Sequence, residues 1–125
     1  MGAMLFVVAS GGALGAVLRF LLWEAFDHYS LNRPFPWGIL VCNVLGSFVI
    51  GVLAGILFHK SQVDPLWRAF LVIGVCGGFT TFSSFSLDTI QLLRVGDIGL
   101  AFANMALSLL LCLAATYVGM KVVYH

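Results

Sequence analysis

The chain has 125 residues and a formal net charge of +1; 62% of its residues are hydrophobic and only 9% are charged. A soluble domain is about a quarter charged, so this chain has too few charges to cover a water-facing surface. The composition excludes a soluble domain and a basic nucleic-acid-binding protein. It predicts an all-α integral membrane protein that lies almost entirely within the lipid bilayer.

Four apolar runs, each about 20 residues or longer, predict four membrane spans. The first span runs from about Met4 to Trp23 and the second from about Trp37 to Phe58. The third runs from about Leu66 to Leu93 and the fourth from about Ile98 to Val123. Residues 1–125 are therefore interpreted as one four-span membrane domain.

The loop charges are balanced between the two sides of the membrane. With four spans, one side carries Lys60, Arg68 and Lys121, and the other carries Arg19, Arg33 and Arg94. The positive-inside rule then has little to act on. The balance predicts dual topology, in which the chain inserts both ways and pairs antiparallel with itself. The alternative is a single topology that is set by other means.

The third span contains the unusual segment GVCGGFTTFSSFSLD, residues 74–88. Gly77 and Gly78 lie close to its middle, where we predict that they break the helix, near residues 77–81. Unpaired backbone groups in hydrocarbon cost several kcal/mol, so such a break belongs inside protein or beside a polar cavity or ion. Freed carbonyl oxygens there are natural cation ligands. The alternative is a continuous helix whose glycines permit close packing.

Polar side chains are concentrated after the glycines and on two other spans. A lone hydroxyl in a membrane helix usually bonds the carbonyl one turn back. Five hydroxyls within seven residues exceed that need, so we expect at least one to face a hydrated or ion-binding path; they are Thr80, Thr81, Ser83, Ser84 and Ser86. Asn43, on the second span, is expected to face the protein interior because a buried amide needs partners.

The fourth span carries a polar residue at every fourth position: Asn104, Ser108, Cys112 and Thr116. This spacing places them in a slanted stripe on one helix face. The stripe is either a second polar track of an ion path or a set of contacts that hold helices together.

Phenylalanines recur every three residues at Phe79, Phe82 and Phe85. Such rings usually face the core or lipid. The alternative is that their positive edges, beside amide and hydroxyl donors, suit a small anion.

The ionisable residues avoid the centres of the spans. No Asp, Glu, Lys or His lies there, so no proton relay or coupling carboxylate is evident. Arg19 and Asp88 are the deepest charges, and each lies roughly 9 Å from the midpoint of its span toward the same side of the membrane. We predict that they neutralise each other or lie beside a watery vestibule; the alternative is that Arg19 extends to the headgroups alone. No catalytic arrangement, phosphate loop or metal-ligand cluster indicates an enzyme.

Three segments together resemble the small bacterial fluoride channels of the Fluc, or CrcB, family. They are GGALGAVLRF in the first span, WGILVCNVLGSFVIG in the second and GVCGGFTTFSSFS in the third. The resemblance covers all four spans, and the pattern G-G-x-T-T-F-S-x-F-S is specific. It implies an antiparallel, dual-topology homodimer in the bacterial inner membrane, with two pores that export fluoride passively.

The resemblance also implies the roles of individual residues. A structural Na⁺ would lie on the dimer axis, bound by the backbone carbonyls of Gly77 and Thr80 from both subunits. The positions that match the family's fluoride pore are Asn43, Phe82, Phe85, Ser83 and Ser108.

Three further positions are implied less directly. Arg19 matches the family's span-one arginine, and we place Asp88 with it as a vestibule charge. Cys112 departs from the family pattern, because a hydroxyl there would be a better donor than a thiol.

Two rival functions follow from the same sequence. A small multidrug exporter also has four spans and dual topology, but it depends on a carboxylate deep in span one, where this chain has only Glu24 at the end. A structural or assembly subunit would use the polar tracks only to hold helices together. Some family members pair two different chains, but the balanced charges favour a homodimer.

Overall fold

The computed structural model describes residues 1–28, 35–59 and 63–123, and within these ranges all regular secondary structure is helical. Four helical segments are long and apolar enough to cross a membrane: Gly2–Phe26, Trp37–Leu57, Pro65–Arg94 and Ile98–Val123. The prediction of an all-helical chain with four membrane-capable segments is confirmed. Two of the loop charges, Arg33 and Lys60, lie outside the described residues.

The first, second and fourth spans are single helices, α1 (Gly2–His28), α2 (Trp37–His59) and α6 (Ile98–Val123). The third span consists of four consecutive helical pieces. These are α3 (Pro65–Arg68), a π-helix (Ala69–Cys76), α4 (Gly77–Phe79) and α5 (Phe82–Arg94).

Local chemistry sets both ends of the third span. Asp64 caps its start, because its side chain accepts a hydrogen bond from the Leu66 amide at 2.9 Å while Pro65 occupies the first helical position. Gly96 ends it with φ +90°, a conformation that glycine adopts without steric cost. The next amide, Asp97 N–H, donates to the Leu92 carbonyl at 2.9 Å, which closes the helix end before α6 begins.

Glycines bring the helices of this single chain into close contact. α1 packs along the π-helix and α4, while α2 packs along α6. A Cβ added to Gly11 would lie 2.5 Å from the Phe70 carbonyl oxygen, and one added to Gly55 would lie 3.2 Å from the Met120 carbonyl oxygen. These glycines of spans one and two therefore serve helix packing within one chain.

The single chain buries few of its side chains. Among the described residues, the buried apolar ones are Phe35, Ile39, Leu40, Cys42, Ala69, Cys76, Leu92 and Ala101, and the buried polar ones are Thr89, Asn104 and Ser108. Most of the remaining apolar side chains are exposed, as expected for helices that face lipid or another subunit.

Candidate functional site

The α-helical geometry of the third span is interrupted at two threonines. It ends at Phe79 and resumes at Phe82, and the residues between are extended, with φ −89°, ψ 155° at Thr80 and φ −151°, ψ 121° at Thr81. Extended residues cannot continue the i to i−4 hydrogen-bond ladder, so the backbone groups around them need other partners.

The two glycines themselves are helical, so the interruption does not lie at Gly77 and Gly78 but at Thr80 and Thr81, within the range 77–81 where the break was predicted. Gly77 has φ −63° and ψ −38°, and both residues belong to α4. Gly78 instead permits close packing, since an added Cβ would lie 2.5 Å from the Gly12 carbonyl oxygen of α1. The packing role that the alternative gave to the glycines therefore agrees with Gly78, but the continuous helix of that alternative does not occur, since the third span is interrupted at Thr80 and Thr81.

The side-chain amide of Asn43, on α2, pairs with both backbone groups of Thr81. The Thr81 N–H donates to Asn43 Oδ1 at 2.7 Å, and Asn43 Nδ2 donates to the Thr81 carbonyl at 3.0 Å. The side-chain amide thus takes the place of a neighbouring peptide group. One hydrogen of Nδ2 is left for another acceptor. The expectation that Asn43 faces the interior and finds partners agrees with this geometry.

The threonine hydroxyls are used locally. Thr80 Oγ1 donates to the Cys76 carbonyl at 2.9 Å, which is the usual bond one turn back. Thr81 Oγ1 caps α5 by accepting from the Ser84 amide at 3.1 Å, and it lies 3.1 Å from Ser83 Oγ. Ser83 is exposed, so its hydroxyl lies on the surface of the single chain.

Two carbonyl groups are released from helical pairing by these contacts. In an uninterrupted helix, the Thr81 amide would donate to the Gly77 carbonyl and the Ser84 amide to the Thr80 carbonyl. Those amides donate instead to the side chains of Asn43 and Thr81. The oxygens of Gly77 and Thr80 are the two that the resemblance assigns to a cation, and carbonyl oxygens are suitable ligands for Na⁺.

Arg19 contacts the same region from α1. Its Nε donates to the Gly78 carbonyl at 3.1 Å, which places a positive group at the C-terminal end of α4. Arg19 and Asp88 line one cavity of about 340 Å³, together with Ala16, Phe20, Trp23, Ile39, Ser84 and Leu87. The structure thus brings the two deepest charges to one cavity; that they neutralise each other stays a prediction.

The two candidate pore phenylalanines lie side by side at the start of α5. The ring centroids of Phe82 and Phe85 are 5.4 Å apart and the rings are tilted by 46°. Phe82 is 78% exposed in the single chain, whereas Phe85 is half-buried. A phenylalanine surface therefore adjoins the interruption.

The polar stripe of α6 contacts two different helices. Asn104 Nδ2 donates to Thr89 Oγ1 of α5 at 3.0 Å, and Ser108 Oγ donates to Asn104 Oδ1 at 3.4 Å. Thr116 Oγ1 donates to the Ser47 carbonyl of α2 at 3.1 Å. Contacts that hold helices together describe Asn104 and Thr116, whereas Ser108 bonds within α6. The roles of Ser108 and of Cys112, which is half-buried, stay predictions.

Sequence reasoning missed Thr89. It lies four residues after Phe85 and seven after Phe82, so it shares their helix face. That spacing could have identified it as a companion of the phenylalanines.

Comparison with known proteins gives one family. The sequence profile of the family described as "CrcB-like protein, Camphor Resistance (CrcB)" matches residues 6–120. A protein of Rhodospirillum centenum named Fluoride-specific ion channel FluC is 48% identical over 120 residues, which is 96% of this chain and 94% of that protein.

Relatives of the same name occur in two further organisms. The Opitutus terrae protein is 50% identical over 115 residues, covering 90% of this chain and 86% of its own length. The Pyrococcus horikoshii protein is 42% identical over 109 residues, covering 87% of this chain and 86% of its own length. These are names of ion channels and not of enzymes, consistent with the expectation that this chain is not an enzyme.

Proposed function

The chain belongs to the CrcB-like family, and on that premise we propose that it is a fluoride-specific ion channel. It carries fluoride passively out of the cytoplasm across the bacterial inner membrane. The observation that carries the proposal is the polar interruption of the third span, where an amide, released carbonyls and two phenyl rings meet at membrane depth.

The working unit is an antiparallel homodimer with two pores. Phe82, with 78% of its surface exposed, lies on the outside of the single chain beside the interruption, whose Thr80 and Thr81 are half-buried. Polar backbone facing lipid costs several kcal/mol, so a second copy that covers this surface stabilises it. Balanced loop charges let the two copies insert in opposite directions.

A structural sodium ion would be held by the backbone carbonyls of Gly77 and Thr80 from both copies. Their fit to the ion rests on the diversion of the Thr81 and Ser84 amides to side-chain acceptors. The cation would supply the positive charge that keeps these carbonyl oxygens together.

The fluoride path runs past groups that replace water. Fluoride is a small hard anion, so donors must meet it at close range, and each must also release it. The second Nδ2 hydrogen of Asn43, the ring edges of Phe82 and Phe85, and the Ser108 hydroxyl act in sequence. Arg19 attracts the anion into the vestibule.

Ser83, Asp88 and Cys112 complete the proposed pathway. Ser83 and Cys112 lie along the path, and Asp88 balances the charge of the vestibule, where it lines the same cavity as Arg19. With no acid near mid-membrane, flux follows the fluoride gradient without proton coupling.

The test is fluoride efflux from liposomes that contain the purified protein, followed with a fluoride electrode. We expect fast efflux that excludes chloride and that is lost in Phe82→Ile and Asn43→Ala. An active relative serves as the control for reconstitution. Well-folded dimers that move no ion would favour the structural-subunit alternative, and efflux that requires a proton gradient would contradict a passive channel.

A further inference from the structure

A chain of hydrogen bonds joins α5 to α6 inside the protein, and its direction is fixed at one end. Thr89 Oγ1 lies 2.8 Å from the Phe85 carbonyl oxygen. A carbonyl only accepts, so Thr89 must donate, and a hydroxyl has one proton to give. Toward every other neighbour, Thr89 Oγ1 is therefore an acceptor.

This fixes the orientation of the Asn104 amide. The atom of Asn104 that lies 3.0 Å from Thr89 Oγ1 must be the donor Nδ2, which leaves Oδ1 on the side of Ser108. Ser108 must then donate to Oδ1. Exposure is 6% for Thr89, 2% for Asn104 and 8% for Ser108, so the chain is shielded from competing water.

The Ser108 proton is therefore directed at Asn104. Ser108 is also one of the groups proposed to solvate fluoride, and an anion needs that same proton. At 3.4 Å, the contact is longer than the usual range of about 2.5–3.0 Å for such a bond, so it is weak enough to be exchanged.

We propose that Thr89 and Asn104 are positioning residues that set the fluoride affinity of the pore by holding the Ser108 proton. The inference rests on the proposed function. Fluoride that reaches Ser108 must draw the Ser108 hydroxyl proton away from Asn104 Oδ1. The hydrogen bond to Asn104 forms again when the ion leaves. The competition weakens the site and favours release, which a conducting site requires.

The test is the fluoride concentration that gives half-maximal flux in Thr89→Val. This change removes the group that orients Asn104, so the amide can turn and donate Nδ2–H to Ser108 Oγ, whose proton is then free for the ion. We expect the half-saturating concentration to fall about three- to tenfold, the factor that one net hydrogen bond is worth. Thr89→Ser keeps the hydroxyl and should match the wild type.

Two further variants separate this effect from a loss of packing. Adding Ser108→Ala should abolish the shift caused by Thr89→Val. The matched control is Thr116→Val, which removes a hydroxyl bond between α6 and α2 and should leave the half-saturating concentration unchanged. If Thr89→Val does not fold, Asn104→Leu replaces it, because it also frees the Ser108 proton and should give the same shift.

The contrary results are distinct from a failure of the proposed function. Two results would overturn this inference alone, provided that the wild type conducts fluoride. One is that Thr89→Val lowers only the maximal flux; the other is that its shift persists when Ser108 is also replaced. A folded wild type that conducts no fluoride would overturn the channel assignment and this inference with it.

Discussion

At the scale of single residues, Asn43 has the largest structural task. Its planar amide offers an acceptor and donors in the geometry of a peptide group, so it can pair with both backbone groups of Thr81 at 2.7 and 3.0 Å. A carboxylate has no proton to donate to the carbonyl, and a hydroxyl that served both groups would have no hydrogen left for an anion. The residue therefore holds the interruption in shape and still has one hydrogen to offer an anion.

Replacing Asn43 with alanine tests the structural part of this role. Asn43→Ala leaves the Thr81 N–H and carbonyl without these partners, and each unsatisfied buried group costs about 1–3 kcal/mol. Because Thr81 is only half-buried, we expect a loss of about 2–4 kcal/mol in the free energy of unfolding. SDS titration of the protein in detergent micelles, followed by circular dichroism, measures it.

Ser10→Ala is the control for this measurement. The Ser10 hydroxyl makes only an exposed bond to the Phe6 carbonyl of its own helix, so its loss should change the free energy of unfolding by less than about 0.5 kcal/mol. Equal stabilities of the two variants would show that the Asn43–Thr81 pair does not stabilise the interruption.

At the scale of helices, α1 and the third span approach through glycine, and neighbouring glycines differ sharply. An added Cβ at Gly11 would meet the Phe70 carbonyl oxygen at 2.5 Å and the Gly74 Cα at 3.0 Å, both of them backbone. At Gly12 the nearest atom would be 4.0 Å away. Only one face of α1 needs glycine for close approach.

Paired alanine substitutions test this difference. Gly11→Ala should destabilise the protein by about 1–3 kcal/mol, because backbone must move to admit the methyl group. Gly12→Ala should be neutral or stabilise by up to about 1 kcal/mol, since alanine favours the helix. Thermal unfolding in the same detergent compares them, and similar melting temperatures for both variants would contradict the packing described here.

The elements differ in how far the sequence alone predicts them. Four long apolar runs separated by polar loops were enough to predict four membrane-capable helices, since hydrocarbon admits few alternatives. The π-helix at Ala69–Cys76 was not predicted, because AFLVIGVC carries no local signal and tertiary contacts decide the hydrogen-bond register. A glycine pair likewise indicates either a break or a close contact, and only the neighbouring α1 distinguishes them.

The candidate site was predictable in its residue types but not in its pairings. A deep amide must find partners, so an inward Asn43 followed from its chemistry. That its partner is Thr81, and that Thr89 completes the chain to Asn104 and Ser108, depends on the rotation of one helix against another. Sequence spacing within a single helix cannot specify that rotation.

At the scale of the whole molecule, the single chain leaves much of its apolar surface uncovered. In each span no more than a third of the most apolar window is buried within the single chain, and lipid can cover the rest. Lipid cannot satisfy the polar backbone at the interruption, beside which Phe82 is 78% exposed. A second copy in the opposite orientation would place two such surfaces against each other at the same depth. In a parallel pair, both copies would have the vestibule charges, Arg19 and Asp88, on the same side of the membrane.

Added lysines at opposite ends of the spans test whether both orientations are needed. Val95 follows Arg94 at the turn before α6 and is 73% exposed, and Val122 follows Lys121 at the other side and is 56% exposed. Because lysines near span ends favour the cytoplasmic side, Val95→Lys and Val122→Lys should each fix one orientation, and the two orientations should be opposite. Reporter enzymes fused to the C-terminus, active on only one side of the membrane, measure this.

Function should follow orientation in these variants. Either variant expressed alone lacks an antiparallel partner, so we expect most of the fluoride efflux from cells to be lost, while co-expression of the two restores it because each supplies the orientation that the other lacks. Replacing the same valines with glutamine is the control, since the side chain becomes polar without a charge and the wild-type mixture of orientations should remain. Full efflux from cells that hold one fixed orientation would mean that the two copies do not pair antiparallel, and the interruption would then need a different partner to cover it.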